Sequence, residues 1–265
     1  MASFLDRVFA RPVALGIYGL AAMAIGLVGL IWGDFLAVWQ PVPKSLPGRT
    51  ALAYAVAAVI LLAGLALQRK RSAAAGALAL TVLYAIGTVA LHVPSILAHP
   101  AVFQAWSGTA EQVALVAGGM VACAFCMQIT PQSAQRTIRI AQIIFGICLL
   151  LFGLAHIEYL KATADFVPAW IPPGQKFWAY ATAAGHIAAG VAIISGVAAR
   201  PAAMLLTAMF IVFGLLVHAP LVFADPHAHF NWAANAMNTA LIGAAWLIAA
   251  SIGTAATRSV APASA

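Results

Sequence analysis

Three histidines and a carboxylate gather in the second half of the sequence. His156 and Glu158 lie in "FGLAHIEYL", His186 in "AYATAAGHIAAGVAIISG" and His218 in "LLVHAPLVF". Imidazole nitrogens with a carboxylate oxygen suit zinc, iron or copper(II). The same groups hydrogen-bond a quinone carbonyl, and a carboxylate beside a histidine tunes its proton affinity. Cofactor binding is expected at His156, Glu158, His186 and His218, with metal ligation at His156, His186 and His218 as one form of it. Bis-histidine haem through His186 and either His156 or His218 is a further candidate, although the paired histidines of a two-haem helix bundle are missing.

Weaker sets surround this one. Asp34 and His92 form a degenerate counterpart in the first half, where Glu111 is read as a carboxylate opening a helix at its positive end. His99 precedes a proline and reads as a solvated loop residue. In "DPHAHFNW" (225–232), His227 and His229 alternate with Asp225 and Asn231, so an extended segment would set all four on one edge. Ligation by His227 and His229 competes there with a plain wet loop. Cys123 and Cys126, in "CAFC", have the spacing of a redox pair, but on a helix they also pack as small apolar residues, as does Cys148.

The elements that position these residues follow from composition. With 64% hydrophobic and 7% charged residues, and a mean hydropathy of +1.00, the chain lies outside the range of soluble domains. Eight apolar runs, about 13–33, 50–68, 73–92, 110–129, 138–157, 177–198, 201–219 and 232–253, each suffice to cross a hydrocarbon core. They predict helices, because backbone groups in lipid must bond within their own segment and the runs lack the alternation of a barrel strand. The first run is too long for a signal-peptide core and is expected to be retained.

Charge predicts orientation. Arg7, Arg11, Arg69, Lys70, Arg71, Arg136, Arg139, Arg200 and Arg258 fall on one side, and Lys44, Arg49, Lys161 and Lys176 on the other. The richer side is expected to be cytoplasmic, with both termini, in an inner membrane. The net charge of +7 is then a topology signal and calls for no nucleic-acid partner. Asp34, Glu111, Glu158, Asp165 and Asp225 map to the opposite, outer side with most histidines, and His186 lies about two turns within its helix.

The chain also repeats itself. "LHVPSILAHPAVFQAW" from Leu91 and "VHAPLVFADPHAHFNW" from Val217 align at a constant offset of 126 (217 − 91). Pro47, Gly48, Tyr54 and Gly64 meet Pro173, Gly174, Tyr180 and Gly190 at the same offset, while "GLIWGDFL" meets "GLAHIEYL" at 124. Two four-helix units, 1–130 and 137–254, facing the same way about an axis along the membrane normal, are predicted. Between them "TPQSAQRT" (130–137) reads as a linker, and 255–265 as a disordered cytoplasmic tail. His156, His186, His227 and His229 face Trp32, Ile60, Ala101 and Phe103, so the halves are not chemically equal.

The segments "FGLAHIEYL", "FVPAWIPPGQKFWAYATAAGHIAAGVAIISG", "ARPAAMLLTAMFIVF" and "LHVPSILAHPAVFQAW" with "EQVALVAGGM" resemble the DoxX-like membrane proteins. The resemblance implies a four-helix membrane unit, in some members a partner of thiol, sulfur or quinone redox systems. This chain differs in carrying the unit twice and in placing His186 where the family more often has Glu. The expectation is an all-α membrane protein of eight transmembrane helices in two parallel four-helix repeats. It is read as a redox-associated component, with a redox protein as partner, that binds a quinone, transition metal or similar small ligand at its outer face. A solute or metal transporter is the alternative, although no proline or glycine is expected to interrupt a helix at matching positions of both copies. A non-catalytic assembly subunit is the third class.

Overall fold

The computed structural model describes residues 4–256, with side chains described for residues 4–252. All regular structure among them is helical. Among the described residues eight helices are long and apolar enough to cross a membrane: α1 (Arg11–Trp32), α2 (Arg49–Leu67), α3 (Ala73–Ala98), α4 (Phe103–Cys126), α5 (Pro131–Glu158), α6 (Gln175–Ser195), α7 (Ala199–Ala224) and α8 (His229–Ala256). Short helices at Phe4–Val8 and Leu160–Phe166 and a 3-10 turn at Ala37–Trp39 accompany them. Residues 255 and 256 continue α8, so the expected tail otherwise lies outside the described residues, as does Arg258.

Each helix packs on its neighbours in sequence, and the ring closes where α8 meets α1. Within a half the first and last helices barely touch: α4 packs on α5 of the other half, α8 packs on α1, and α4 and α8 meet in the middle. The pairings of α1–α4 recur in α5–α8. Neither half closes as a bundle of its own, so the two halves share one core.

Residue size explains this arrangement. The central helices α4 and α8 bury many small residues, Ala114, Ala117 and Gly118 on one and Ala240 and Ala244 on the other. A Cβ on Gly118 would stand 2.9 Å from that of Ala244, so only small residues let these backbones come so close. Tyr18 of α1 donates its hydroxyl to the Leu115 carbonyl at 2.7 Å, inside this core. Large apolar residues such as Leu20, Leu62, Leu205 and Leu215 point outward instead. Lipid contact accounts for them, since a membrane surface has no reason to hide leucine.

Three expectations about helix bounds change. α5 begins at Pro131, with the Thr130 hydroxyl accepting from the Ser133 amide at 3.2 Å, so only residues 127–130 link the halves and most of the expected linker is helical. A threonine cap followed by proline at the first helical position is a helix-start signal. α4 begins at Phe103, which puts Glu111 two turns inside the helix, away from its first turn.

The third change concerns α3 and α7, which continue through Pro94 and Pro220. Each widens into a π turn just before its proline, at Thr88–His92 and Gly214–His218. The Val93 amide bonds the Thr88 carbonyl and the Ala219 amide the Gly214 carbonyl, five residues back. A proline lacks the amide hydrogen and its ring presses on the carbonyl four residues before it, and a wide turn relieves that clash. His92 and His218 therefore lie within their helices. Matched wide turns thus occur in both halves, although neither helix is broken there.

The alternating segment 225–232 is not extended: residues 225–228 form a short turn and His229 to Trp232 open α8. The His227 amide donates to Asp225 Oδ1 at 3.1 Å, and Asn231 Nδ2 donates to the Leu221 carbonyl at 2.9 Å. Trp232 Nε1 then reaches back to the Pro226 carbonyl at 2.9 Å. The same clasp joins Trp106 to Pro100 at 3.0 Å and Trp178 to Pro172 at 2.9 Å. Trp232→Phe is expected to lower stability by about 0.5–1.5 kcal/mol, the worth of one such bond, measured by thermal unfolding in detergent.

Candidate functional site

His156 and His186 come together between α5, α6 and α7, with ring centroids 4.9 Å apart. Helical side chains lean toward the N-terminus of their own helix, and these two helices run in opposite directions. His156, near the end of α5, leans inward, while His186, eleven residues after Gln175 and so about 16 Å along α6, leans back toward it. That depth exceeds the two turns expected and approaches the middle of a hydrocarbon core of about 30 Å.

Aromatic rings enclose the pair. Phe210 lies 5.4 Å from His186, Phe152 5.8 Å in an edge-on arrangement, and Phe213 6.2 Å. Phe213 also stacks on His156 at 6.2 Å. Gly190, one turn beyond His186, permits the approach of α5: a Cβ there would lie 2.7 Å from the Gly146 carbonyl.

Hydrogen bonding then separates the two imidazoles. His156 Nδ1 is 2.8 Å from the Phe152 carbonyl, which can only accept, so Nδ1 carries the hydrogen and neutral His156 keeps Nε2 as an acceptor. His186 is 1% exposed, and its Nδ1 has no hydrogen-bond partner among the described residues. A buried polar nitrogen left unpaired costs about 1–3 kcal/mol. His218 Nδ1, in the π turn of α7, is likewise buried and unpaired. Asn238 of α8 donates to the Phe210 carbonyl at 3.2 Å and ties that wall to the centre of the molecule.

The other expected residues separate from this ring. Glu158 is exposed at the end of α5. Asp34 is ion-paired with Arg49 and accepts from the Phe35 amide at 2.6 Å. His92, 5% exposed, donates from Nε2 to the Trp39 carbonyl at 3.2 Å, and Trp39 Nε1 donates to Glu111. The first-half polar residues thus satisfy one another, which is the pattern of a structural network. Trp39→Phe would strand the Glu111 carboxylate in that network. It is expected to destabilise the protein by about 1–3 kcal/mol in thermal unfolding.

His229 stacks on Trp32 at 5.3 Å, with Nε2 buried and unpaired, while His227 and His99 are exposed. No group of three or more His, Cys, Asp or Glu side chains among the described residues is arranged to hold a metal ion. Cys123 lies 3.5 Å from the Thr81 hydroxyl, Cys148 is buried, and all three cysteines are free.

The aromatic walls went unread in the sequence, although Phe152 with His156 at four residues and Phe210 with Phe213 at three signal shared helix faces. The Pro-Trp clasp, a spacing of six residues met three times, was legible only in the two copies that align.

A DoxX family model matches residues 137–219. This segment is similar to the DoxX membrane family. It spans α5, α6 and α7 as far as the π turn, and so contains His156, Glu158, His186, His218 and the three phenylalanines of the ring. No curated protein and no solved structure matches the chain.

Proposed function

We propose that this multi-pass membrane protein binds a small ring-shaped ligand of the quinone class at the cluster of aromatic and histidine rings in its DoxX-like segment, as a component of a membrane redox system. The carrying observation is the unpaired Nδ1 of His186, buried among Phe152, His156, Phe210 and Phe213. Flat apolar walls with one or two convergent polar atoms suit a planar ligand bearing a carbonyl oxygen. In the tautomer that carries its hydrogen on Nδ1, His186 supplies the donor, and His156 Nε2, nearer the helix end, can exchange a proton with the outer side. The electrons come from a redox protein partner.

A transition metal held by His156, His186 and His218 draws less support, because these residues do not form a three-ligand cluster. Haem between the paired rings meets a spatial objection: centroids 4.9 Å apart leave no room for a porphyrin plane. Solvent extraction of the purified protein, with a metal assay and an optical spectrum of the same preparation, tests the reading. A stoichiometric quinone supports it. Haem absorption or one equivalent of metal without quinone would replace it.

We further infer that the chain is a tandem duplication of the DoxX-like unit, placed in an inner membrane with both termini cytoplasmic and the histidine pair in its outer half. The 126-residue offset, the recurring helix pairings and the matched π turns support the duplication, and the arginine distribution supports the orientation. The matched π turns also favour a second reading, a transporter whose two halves rock about α3 and α7. Ligand uptake by proteoliposomes that depends on His186 would select it.

A further inference from the structure

We propose that the cavity at the arginine-rich end of the molecule binds the phosphate head of an anionic phospholipid. The cavity, of ≈ 520 Å³, opens where α1 and α5 begin and where α4 and α8 approach their ends, so it touches both halves. It shares no lining residue with the His156–His186 cluster.

Arg11 and Arg139 both line it, and no carboxylate does so among the described residues. The two arginines are held differently. Arg139 spends both terminal nitrogens on the last turn of α6, bonding the Ile193 carbonyl at 3.1 Å and the Ile194 carbonyl. Arg11 has its guanidinium 4.7 Å over the ring of Phe125, and its Nε is buried with no hydrogen-bond partner among the described residues. Stacking on a ring fixes the plane of a guanidinium while leaving its edge available for phosphate, which it grips through two parallel bonds. By contrast Arg200, at the same end, is paired with Asp6.

Apolar side chains decide between a lipid and a free anion. Phe125, Met127, Ile129 and Ile138 form much of the cavity wall, and Met127 and Ile129 are exposed at its mouth. A diffusible phosphate would leave that surface wet, whereas acyl chains cover it. Basic pockets between transmembrane helices on the cytoplasmic side are a recurrent means of holding anionic lipid heads.

The test is lipid binding to purified full-length protein in detergent, followed by native mass spectrometry. Phosphatidylglycerol is compared with phosphatidylcholine, and inorganic phosphate serves as competitor. Wild-type protein is expected to prefer phosphatidylglycerol, and Arg11→Gln to weaken that binding about fivefold. Arg136→Gln, which changes an exposed arginine outside the cavity, should retain the preference. Should Arg11→Gln fail to fold, Gln135→Glu, an exposed position on the cavity wall, is expected to remove the preference by repulsion. Equal binding of the two lipids, or a preference that survives both variants, overturns the proposal. So does displacement by inorganic phosphate at the concentration at which the lipid binds, which would assign the site to a free anion.

Discussion

Replacing His186 with phenylalanine is expected to make the protein more stable and, at the same time, unable to bind its ligand. The imidazole sits 1% exposed among four rings with Nδ1 unpaired. Burying that nitrogen costs about 1–3 kcal/mol, a penalty a phenyl ring does not incur. A planar ring of similar width also keeps the edge-on contact with Phe152 and the tilted contact with Phe210. The unfolding temperature in detergent should therefore rise in His186→Phe, whereas His186→Ala should lower it by leaving a cavity. A polar group retained at a net loss of stability is the mark of a binding residue. A fall in stability on His186→Phe would show that the histidine is paired in solution and serves the fold.

The second large effect belongs to the helix contact that supports the pair. Gly190→Val would place a Cβ 2.7 Å from the Gly146 carbonyl and 3.0 Å from Leu150 Cδ2, with two methyl groups beyond it. Backbone cannot yield there without parting α5 from α6. Overpacking of this kind costs about 1–3 kcal/mol, and the separation carries His156 away from His186. Gly64→Val is the matched control in the first half, where the new Cβ would meet the Gly19 carbonyl at 2.6 Å. Both variants should unfold at lower temperature than wild type. Only Gly190→Val should also lose ligand binding in the fraction that folds, because only that contact carries the histidines.

Much of the fold was legible in the sequence for a simple reason. Eight apolar runs in a chain with 7% charged residues leave the backbone no option but helices across lipid. Less legible was where helices stop. The apolar runs were set to end at 92 and 219, just before Pro94 and Pro220, yet each helix continues past its proline through a π turn. Glu111 read as a residue of a first helical turn because the polar stretch "QAWSGT" hid the true start at Phe103. The division into units was legible in part. An offset of 126 residues pairs the halves along the sequence, but it does not say that α4 and α8 would pack across the division.

The candidate site was legible to a similar degree. Residue type alone selected His156 and His186, since imidazole at membrane depth is retained for a reason. It selected Glu158 and Asp34 equally, and there the fold separates them: Glu158 is exposed, and Asp34 is taken by Arg49. Which polar atoms remain unpaired depends on partners distant in sequence, such as the Trp39 side chain with Glu111, seventy-two positions away. Composition and spacing cannot report that. The same limit explains "DPHAHFNW", whose histidines drew attention while Asp225, Asn231 and Trp232 build the loop.

The central claim is that an unpaired imidazole in the DoxX-like segment receives a quinone-class ligand. Its most direct test is an equilibrium titration of purified wild-type and His186→Phe protein with a short-chain benzoquinone, read by calorimetry. Saturable binding of one equivalent to wild type, absent from a His186→Phe protein that unfolds at a higher temperature, is the predicted result. Equal binding by the two proteins, or none by either after native lipid has been removed, would contradict it.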